Sequence, residues 1–263
     1  MPFFSLARRI AGRFTLERRE LQRLVQLPRG AAATTHLIAP SFDTLDGGSL
    51  AAQYRQIFQQ NAFLFPAPTP RPRIIDCGAN VGCFTTYFAQ RFPEAIITAF
   101  EPDPLVFSVL QRNVARCCGT ARVELVKAAV TGTAETTVSF YADHCDAGST
   151  TMNLAGGATM QVAAVRLREY LKLPCDLLKI DIEGAEVEVL NDSEECLSQV
   201  SRIFVEFHSF ASRPQRLDQV IAVLARAGFR LFVQAGKSPP KPFLSAEAFL
   251  GMDSQLDIWG VRS

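Results

Sequence analysis

The chain has 263 residues, 48% of them hydrophobic and 20% charged, with a formal net charge of +1. That balance excludes disordered, collagen-like and coiled-coil proteins. One large α/β domain, with or without a small appendage, is the default at this length, because single cores stop growing at roughly 250–300 residues. Near-neutral charge, with no NPPY-like motif or basic aromatic patch, argues against a nucleic-acid partner.

No run approaches the roughly 18–20 consecutive apolar residues of a membrane span. Arg8 and Arg9 interrupt the N-terminus before a secretory core develops, so the expected compartment is cytoplasmic. Seven cysteines, at positions 77, 83, 117, 118, 145, 175 and 196, contain no CxxC pair. They read as buried thiols and not as a disulfide framework or zinc site.

Residues 1–30 hold seven Arg against two Glu. Phe3, Leu6, Ile10, Phe14, Leu21, Leu24 and Val25 recur at mainly helical spacing between the arginines, which predicts a basic amphipathic helix or pair. It serves as a cap on the domain or, as the alternative, a weak contact with an anionic surface. A second helix is expected over Ser49–Phe63, and prolines 66, 68, 70 and 72 then form a linker. The sequence therefore divides into a helical extension with its linker, 1–70, and a main domain, 71–263.

From Arg73 the texture alternates: strand Arg73–Cys77, helix Phe84–Phe92, strand Ala95–Phe100, helix Leu105–Cys117, strand Val123–Val130. This βαβαβ pattern predicts a doubly wound, mostly parallel sheet. Further strands are expected at Thr136–Tyr141, Gln161–Val165, Asp176–Asp181, Arg202–Phe207, Arg230–Gln234 and Leu256–Val261. Helices are expected at Ala185–Leu190 and at Arg213–Ala227, the latter ended by Gly228. The stretch Asp143–Met160, with Gly148, Gly156 and Gly157, has no period and reads as a mobile or ligand-ordered loop.

The sharpest local signal is Asp76-Cys77-Gly78-Ala79-Asn80-Val81-Gly82, a hydrophobic strand entering a glycine turn that opens a helix. A dinucleotide fingerprint would place glycine where Asn80 stands, and a pyrophosphate is poorly matched to Asp76. An acid there suits a cationic ligand such as the ammonium of an amino-acid moiety. Glu101, at the end of the next strand and 25 residues on, lies near the spacing at which an acid grips ribose hydroxyls. Asp76, Gly78, Asn80, Gly82, Glu101 and Asp103 are thus the expected binding set for S-adenosylmethionine, in preference to NAD.

Charge inside a central strand demands a reason, because Lys and carboxylates are rarely buried unless paired. Strand alternation sends Lys179, Asp181 and Glu183 to one face, and Glu206 with His208 to the end of what is expected to be the neighbouring strand. The cluster Asp181, Glu183, Glu206 and His208 is expected around the reaction centre, with His208 as base and Asp181 or Glu206 orienting it. A magnesium site made by Asp181, Glu183 and His208 is the alternative, since an oxygen-rich cluster suits that ion, but the spacing matches no ligand signature and no metal is expected.

Four blocks, DCGANVG (76–82), AFEPD (99–103), LKIDIEGAE (178–186) and VEFH (205–208), resemble the FkbM family of methyltransferases over about residues 50–235. The resemblance implies a class I Rossmann-like fold, S-adenosylmethionine as methyl donor, and O-methylation of a hydroxyl on a sugar, glycolipid or natural product. The competing readings are a module that binds the cofactor without transfer and, further off, an NAD-dependent oxidoreductase.

Overall fold

The computed structural model describes residues 15–145, 148–151, 153, 158–245 and 251–262. Of the expected basic N-terminal helices, residues 15–25 are seen as helix α1; the rest of that stretch up to residue 14 lies outside the described residues. A small antiparallel pair follows, β1 (Ala33–Thr35) with β2 (Phe42–Thr44), too short to leave a readable period in the sequence. Helix α2 (Gly47–Tyr54) starts at Asp46, whose carboxylate accepts the Ser49 amide at 2.7 Å. It passes into a π-helical turn at Arg55–Gln59, so the single helix expected over Ser49–Phe63 changes winding halfway.

The expected alternation then appears as β3 (Arg73–Cys77), α3 (Cys83–Arg91), β4 (Ile96–Phe100), α4 (Pro104–Cys117) and β5 (Arg122–Val126). Asp103 caps α4 by accepting the Leu105 and Val106 amides. Pro104 takes the first helical position, where a missing N–H is no loss. The strand expected to reach Val130 breaks after Val126. Its continuation, β6 (Ala129–Thr131), enters a second sheet of order β6-β8-β7 with β7 (Thr137–Ala142) and β8 (Ala158–Arg166). The main fold closes with β9 (Leu177–Ile180), α5 (Glu186–Ser193), β10 (Arg202–Phe210), α6 (Leu217–Arg226), β11 (Arg230–Lys237) and β12 (Met252–Val261).

The seven-stranded sheet has the order β11-β12-β10-β9-β3-β4-β5, with β12 antiparallel to both neighbours and the paired strands from β10 to β5 parallel. Successive residues of a strand face opposite ways. Ile74, Leu177 and Phe204 therefore bury against Leu24, Leu50 and Phe88 on one side, while Ile75, Leu178 and Val205 bury against Val189, Val220 and Leu224 on the other. Covering both faces is why these strands read as nearly continuous apolar runs.

The helical extension shares this core. Phe63 meets Phe84 and Phe204 edge-on at centroid distances of 5.2 and 4.8 Å, contacts worth about 0.5–1.5 kcal/mol each beyond burial. Of the expected loop Asp143–Met160, residues 146, 147, 152 and 154–157 lie outside the described residues, and Ala158–Met160 already belongs to β8. Ser149 is hydrogen-bonded to Tyr141 through both backbone groups.

Candidate active site

A cavity of about 920 Å³ opens at the carboxyl ends of β3, β4, β9 and β10, where open α/β sheets place their ligands. Residues of α2 and the π-turn line one wall, and Asp143, Cys145, Gly148 and Thr150 line another.

On the β3–β4 side the chain turns back at Gly78, with φ +82°. A Cβ there would sit 1.8 Å from the Asp181 carbonyl oxygen, so only glycine lets the ends of β3 and β9 come together. The Asn80 amide donates to Glu101 Oε2 at 3.0 Å, and the Asp103 amide donates to Glu101 Oε1 at 2.9 Å. Burial pushes the Glu101 carboxyl up to about 8, against the pull of those two amides. Gly78, Asn80, Glu101 and Asp103 all line the cavity. Asp103 is also held at 2.9 Å by His144 Nδ1. Gly82 does other work: a Cβ on it would lie 2.7 Å from Leu110 Cδ1, so it lets α4 pack closely.

Asp76 does not reach the cavity wall. Strand alternation puts it on the Ile74 face beneath α3, where it is fully buried and accepts the Thr85 hydroxyl at 2.7 Å. Its other oxygen faces the Lys179 ammonium at 3.5 Å. Lys179 lines the cavity in its place, donating to the Gly78 carbonyl at 3.0 Å and pairing with Asp181 at 3.0 Å. Burial disfavours that ammonium, but Asp181 and Asp76 outweigh it and raise the lysine pKa above its usual value.

On the β9–β10 side Asp181, Glu183 and Glu206 line the cavity as expected. Glu183 adopts φ +54° just before Gly184, and its carbonyl accepts the Ser149 hydroxyl at 2.6 Å. Burial, reinforced by Asp181, raises the Glu206 carboxyl well above its ordinary value. His208 lies one layer back and is not among the described residues lining the cavity; its side chain is 1% exposed. Its Nδ1 donates to Glu186 Oε1 at 2.9 Å, and Nε2 stands 3.5 Å from Glu183 and 3.8 Å from Glu206. Burial opposes an imidazolium there, yet Glu183, Glu186 and Glu206 together lift its pKa well above normal. A histidine already holding its proton does not accept one, so the geometry does not single out His208 as base.

Sequence reasoning missed Asp257, Gln56 and Glu186. Asp257 on β12 stands opposite Glu206 in the strand register, lines the cavity and accepts Gln56 Nε2 at 2.8 Å. Burial and then Asp181 push its carboxyl up to about 6. The signal was present, since an acid in the apolar run Leu256–Trp259 is the same anomaly that marked Asp181. Gln53, Gln56 and Gln60 form a stripe at helical spacing and line the same wall.

This strand order with its reversed member, and a glycine turn held by a strand-end acid beside a cavity at the parallel strand ends, define a class I S-adenosylmethionine-dependent methyltransferase. A family model described as the methyltransferase FkbM domain matches residues 76–231, and the chain belongs to that family.

Methyltransferase sdnD of Sordaria araneosa is 28% identical over 226 residues, spanning 72% of this chain and 86% of that protein. The 31-O-demethyl-FK506 methyltransferase FkbM of Streptomyces tacrolimicus is 26% identical over 247 residues, spanning 80% and 90%. The crystal structure of methyltransferase FkbM from Methylobacillus flagellatus has a TM-score of 0.50 at 14% identity, covering 94% of this chain and 60% of that one, a likeness of fold. The protein is therefore a methyltransferase whose methyl donor is S-adenosylmethionine. Among the described residues no helix is long and apolar enough to cross a membrane.

Proposed function

We propose that the chain methylates a hydroxyl of a small polar acceptor, a sugar, a glycolipid headgroup or a hydroxylated natural product. The observation carrying this reading is the cavity lining where Asp257 and Glu206 stand side by side, together with Gln53, Gln56 and Gln60. Carboxylate and amide oxygens accept hydrogen bonds from hydroxyls, and the amide N–H groups donate to sugar oxygens. The relative from Streptomyces tacrolimicus, named for a methyl transfer to oxygen, supports the same acceptor chemistry.

In this reading Gly78, Asn80, Glu101 and Asp103 hold the nucleoside, with Glu101 accepting from the ribose. Asp76 acts through Lys179, which it keeps charged. The sulfonium supplies an activated methyl group, so the chain's task is to hold the acceptor oxygen in line with it. The oxygen lone pair forms the new O–C bond as the C–S bond breaks with its electron pair on sulfur, which becomes neutral. The hydroxyl proton passes to Asp257, which Gln56 orients. Asp181, Glu183, Glu206 and His208 form the polar bed beneath.

The test is incubation with S-adenosylmethionine carrying a deuterated methyl and a panel of polyols, uronic acids and amino sugars, followed by mass spectrometry and NMR of the product. A labelled methyl ether supports the reading. Label found only on nitrogen or carbon overturns it.

A further inference from the structure

Two side chains that only line the cavity, and one lying behind it, meet at a single point. Asp181 follows β9, while Glu206 and His208 are two apart on β10, the adjacent parallel strand. One carboxylate oxygen of each acid and one imidazole nitrogen all lie within 4.8 Å of one another. Ligand bonds of about 2.0–2.3 Å set donor atoms around one divalent ion roughly 3–4.5 Å apart. The His208–Glu206 separation of 3.8 Å falls in that range, and the 4.8 Å bound on the whole set lies close to its upper end.

A second observation, independent of the acids, concerns the imidazole. Glu186 is fully buried and its Oε1 lies 2.9 Å from His208 Nδ1. A carboxylate only accepts, so Nδ1 carries a hydrogen, and a cation at Nε2 takes the place of any proton that nitrogen holds in the free chain. Nε2 points between Glu183 and Glu206 at 3.5 and 3.8 Å, and makes no hydrogen bond among the described residues. A histidine whose distal N–H is tied to a carboxylate, leaving the other nitrogen aimed at further carboxylates, is how proteins orient a metal-ligating imidazole. Lys179 holds one Asp181 oxygen at 3.0 Å and fixes the orientation of that carboxylate. The Glu206 carboxylate accepts no hydrogen bond among the described residues.

We propose that Asp181, Glu206 and His208 bind one divalent cation, open on its cavity side. The mixed oxygen and nitrogen set favours Mn²⁺ or Zn²⁺ over Mg²⁺ or Ca²⁺. Resting on the hydroxyl-acceptor reading above, the cation takes the acceptor oxygen as a further ligand and lowers the pKa of its proton, which leaves to Asp257 as the methyl arrives. Glu186 is a positioning residue for His208. The sequence points to Asp181 and His208 with Glu183, not Glu206, because the ligands come from two elements 25 or more residues apart and form no local spacing signature.

The test is titration of the chelator-stripped full chain with MnCl₂, followed by the electron paramagnetic resonance of free Mn²⁺, with ZnCl₂ as competitor. We expect one Mn²⁺ per chain, displaced by Zn²⁺, and affinity lowered at least about tenfold by Asp181→Asn, Glu206→Gln or His208→Ala. Glu186→Gln, which removes no ligand, should lower it about 10- to 100-fold. Glu94→Gln, at an exposed surface pair, should leave it unchanged. Thermal melting and cofactor binding report whether each variant folds.

Absence of saturable Mn²⁺ or Zn²⁺ binding to the wild type at millimolar metal overturns the proposal whatever the variants do, as does binding that survives in folded variants of all three ligands. Methyl ether formation at full rate in metal-free protein overturns it and leaves the acceptor reading standing. Stoichiometric binding lost in the three variants, with no methyl ether from any hydroxyl acceptor, supports the metal site and fells the acceptor reading.

Discussion

The Asn80 amide donates to the Glu101 carboxylate at 3.0 Å, so one side chain at the end of β4 holds the glycine turn that follows β3. The same carboxylate takes the Asp103 amide at 2.9 Å and still lines the cavity. Glu101 therefore shapes the glycine turn as well as facing the cavity.

Replacing Glu101 by alanine removes the proposed acceptor of the ribose hydroxyls and frees two amides. The expected loss in S-adenosylmethionine binding is about 1.5–3 kcal/mol, roughly 10- to 150-fold in Kd, read by calorimetry. Unchanged affinity would reject the role of Glu101.

Glu101 titrates near 8 in the folded chain against an ordinary value of 4.5. Between these values the folded state binds the extra proton, so the stability it contributes is full at low pH and is lost as pH rises toward 8. Asp257, raised to about 6, adds a slope of the same sign over the lower part of that range. Urea midpoints of the unliganded protein should accordingly fall from pH 5 to pH 8, less steeply in Glu101→Gln. A flat or rising profile in the wild type would refute the assignment.

Asp257→Asn keeps the shape of the wall and removes the proton acceptor. The turnover number should fall about 10²- to 10⁴-fold with cofactor Kd unchanged. Gln56→Ala should give a smaller loss and a higher KM for the acceptor, since Gln56 orients Asp257 and faces the acceptor wall. Steady-state kinetics beside cofactor calorimetry separates these effects, and a normal turnover number in Asp257→Asn would remove it from the mechanism.

Gly78→Ala places a methyl group 1.8 Å from the Asp181 carbonyl oxygen at a φ of +82°. Strain and clash together should destabilise the chain by at least about 2 kcal/mol. Chemical denaturation measures it, and a loss below about 0.5 kcal/mol would mean that the β3 and β9 ends separate easily.

The sheet was legible because its strands are apolar on both faces and its helices carry their stop signals, such as Gly228 after α6 with φ +85°. β3 begins and ends where the sequence put it, at Arg73 and Cys77. Two kinds of feature escaped. Short strands such as Ala33–Thr35 carry no period, and the break at Lys127–Ala128 falls inside one β-prone stretch with no Gly or Pro to mark it. In the site, residue types were readable but depth was not. Asp76 and His208 are where strand alternation sends them, yet whether a side chain meets a cavity or a helix depends on what packs over it, Thr85 of α3 for the first and Glu186 of α5 for the second.

The π-helical turn at Arg55–Gln59 sits on a segment that contributes nothing to the central sheet yet supplies the glutamine face. In the proposed reading, part of the recognition of the molecule to be modified thus resides on a different stretch of chain from the grip on the donor, the two joined by shared aromatic packing and by the Gln56–Asp257 hydrogen bond. Exchange of residues 47–60 between relatives is a route by which new acceptors can be recruited while the donor pocket stays untouched.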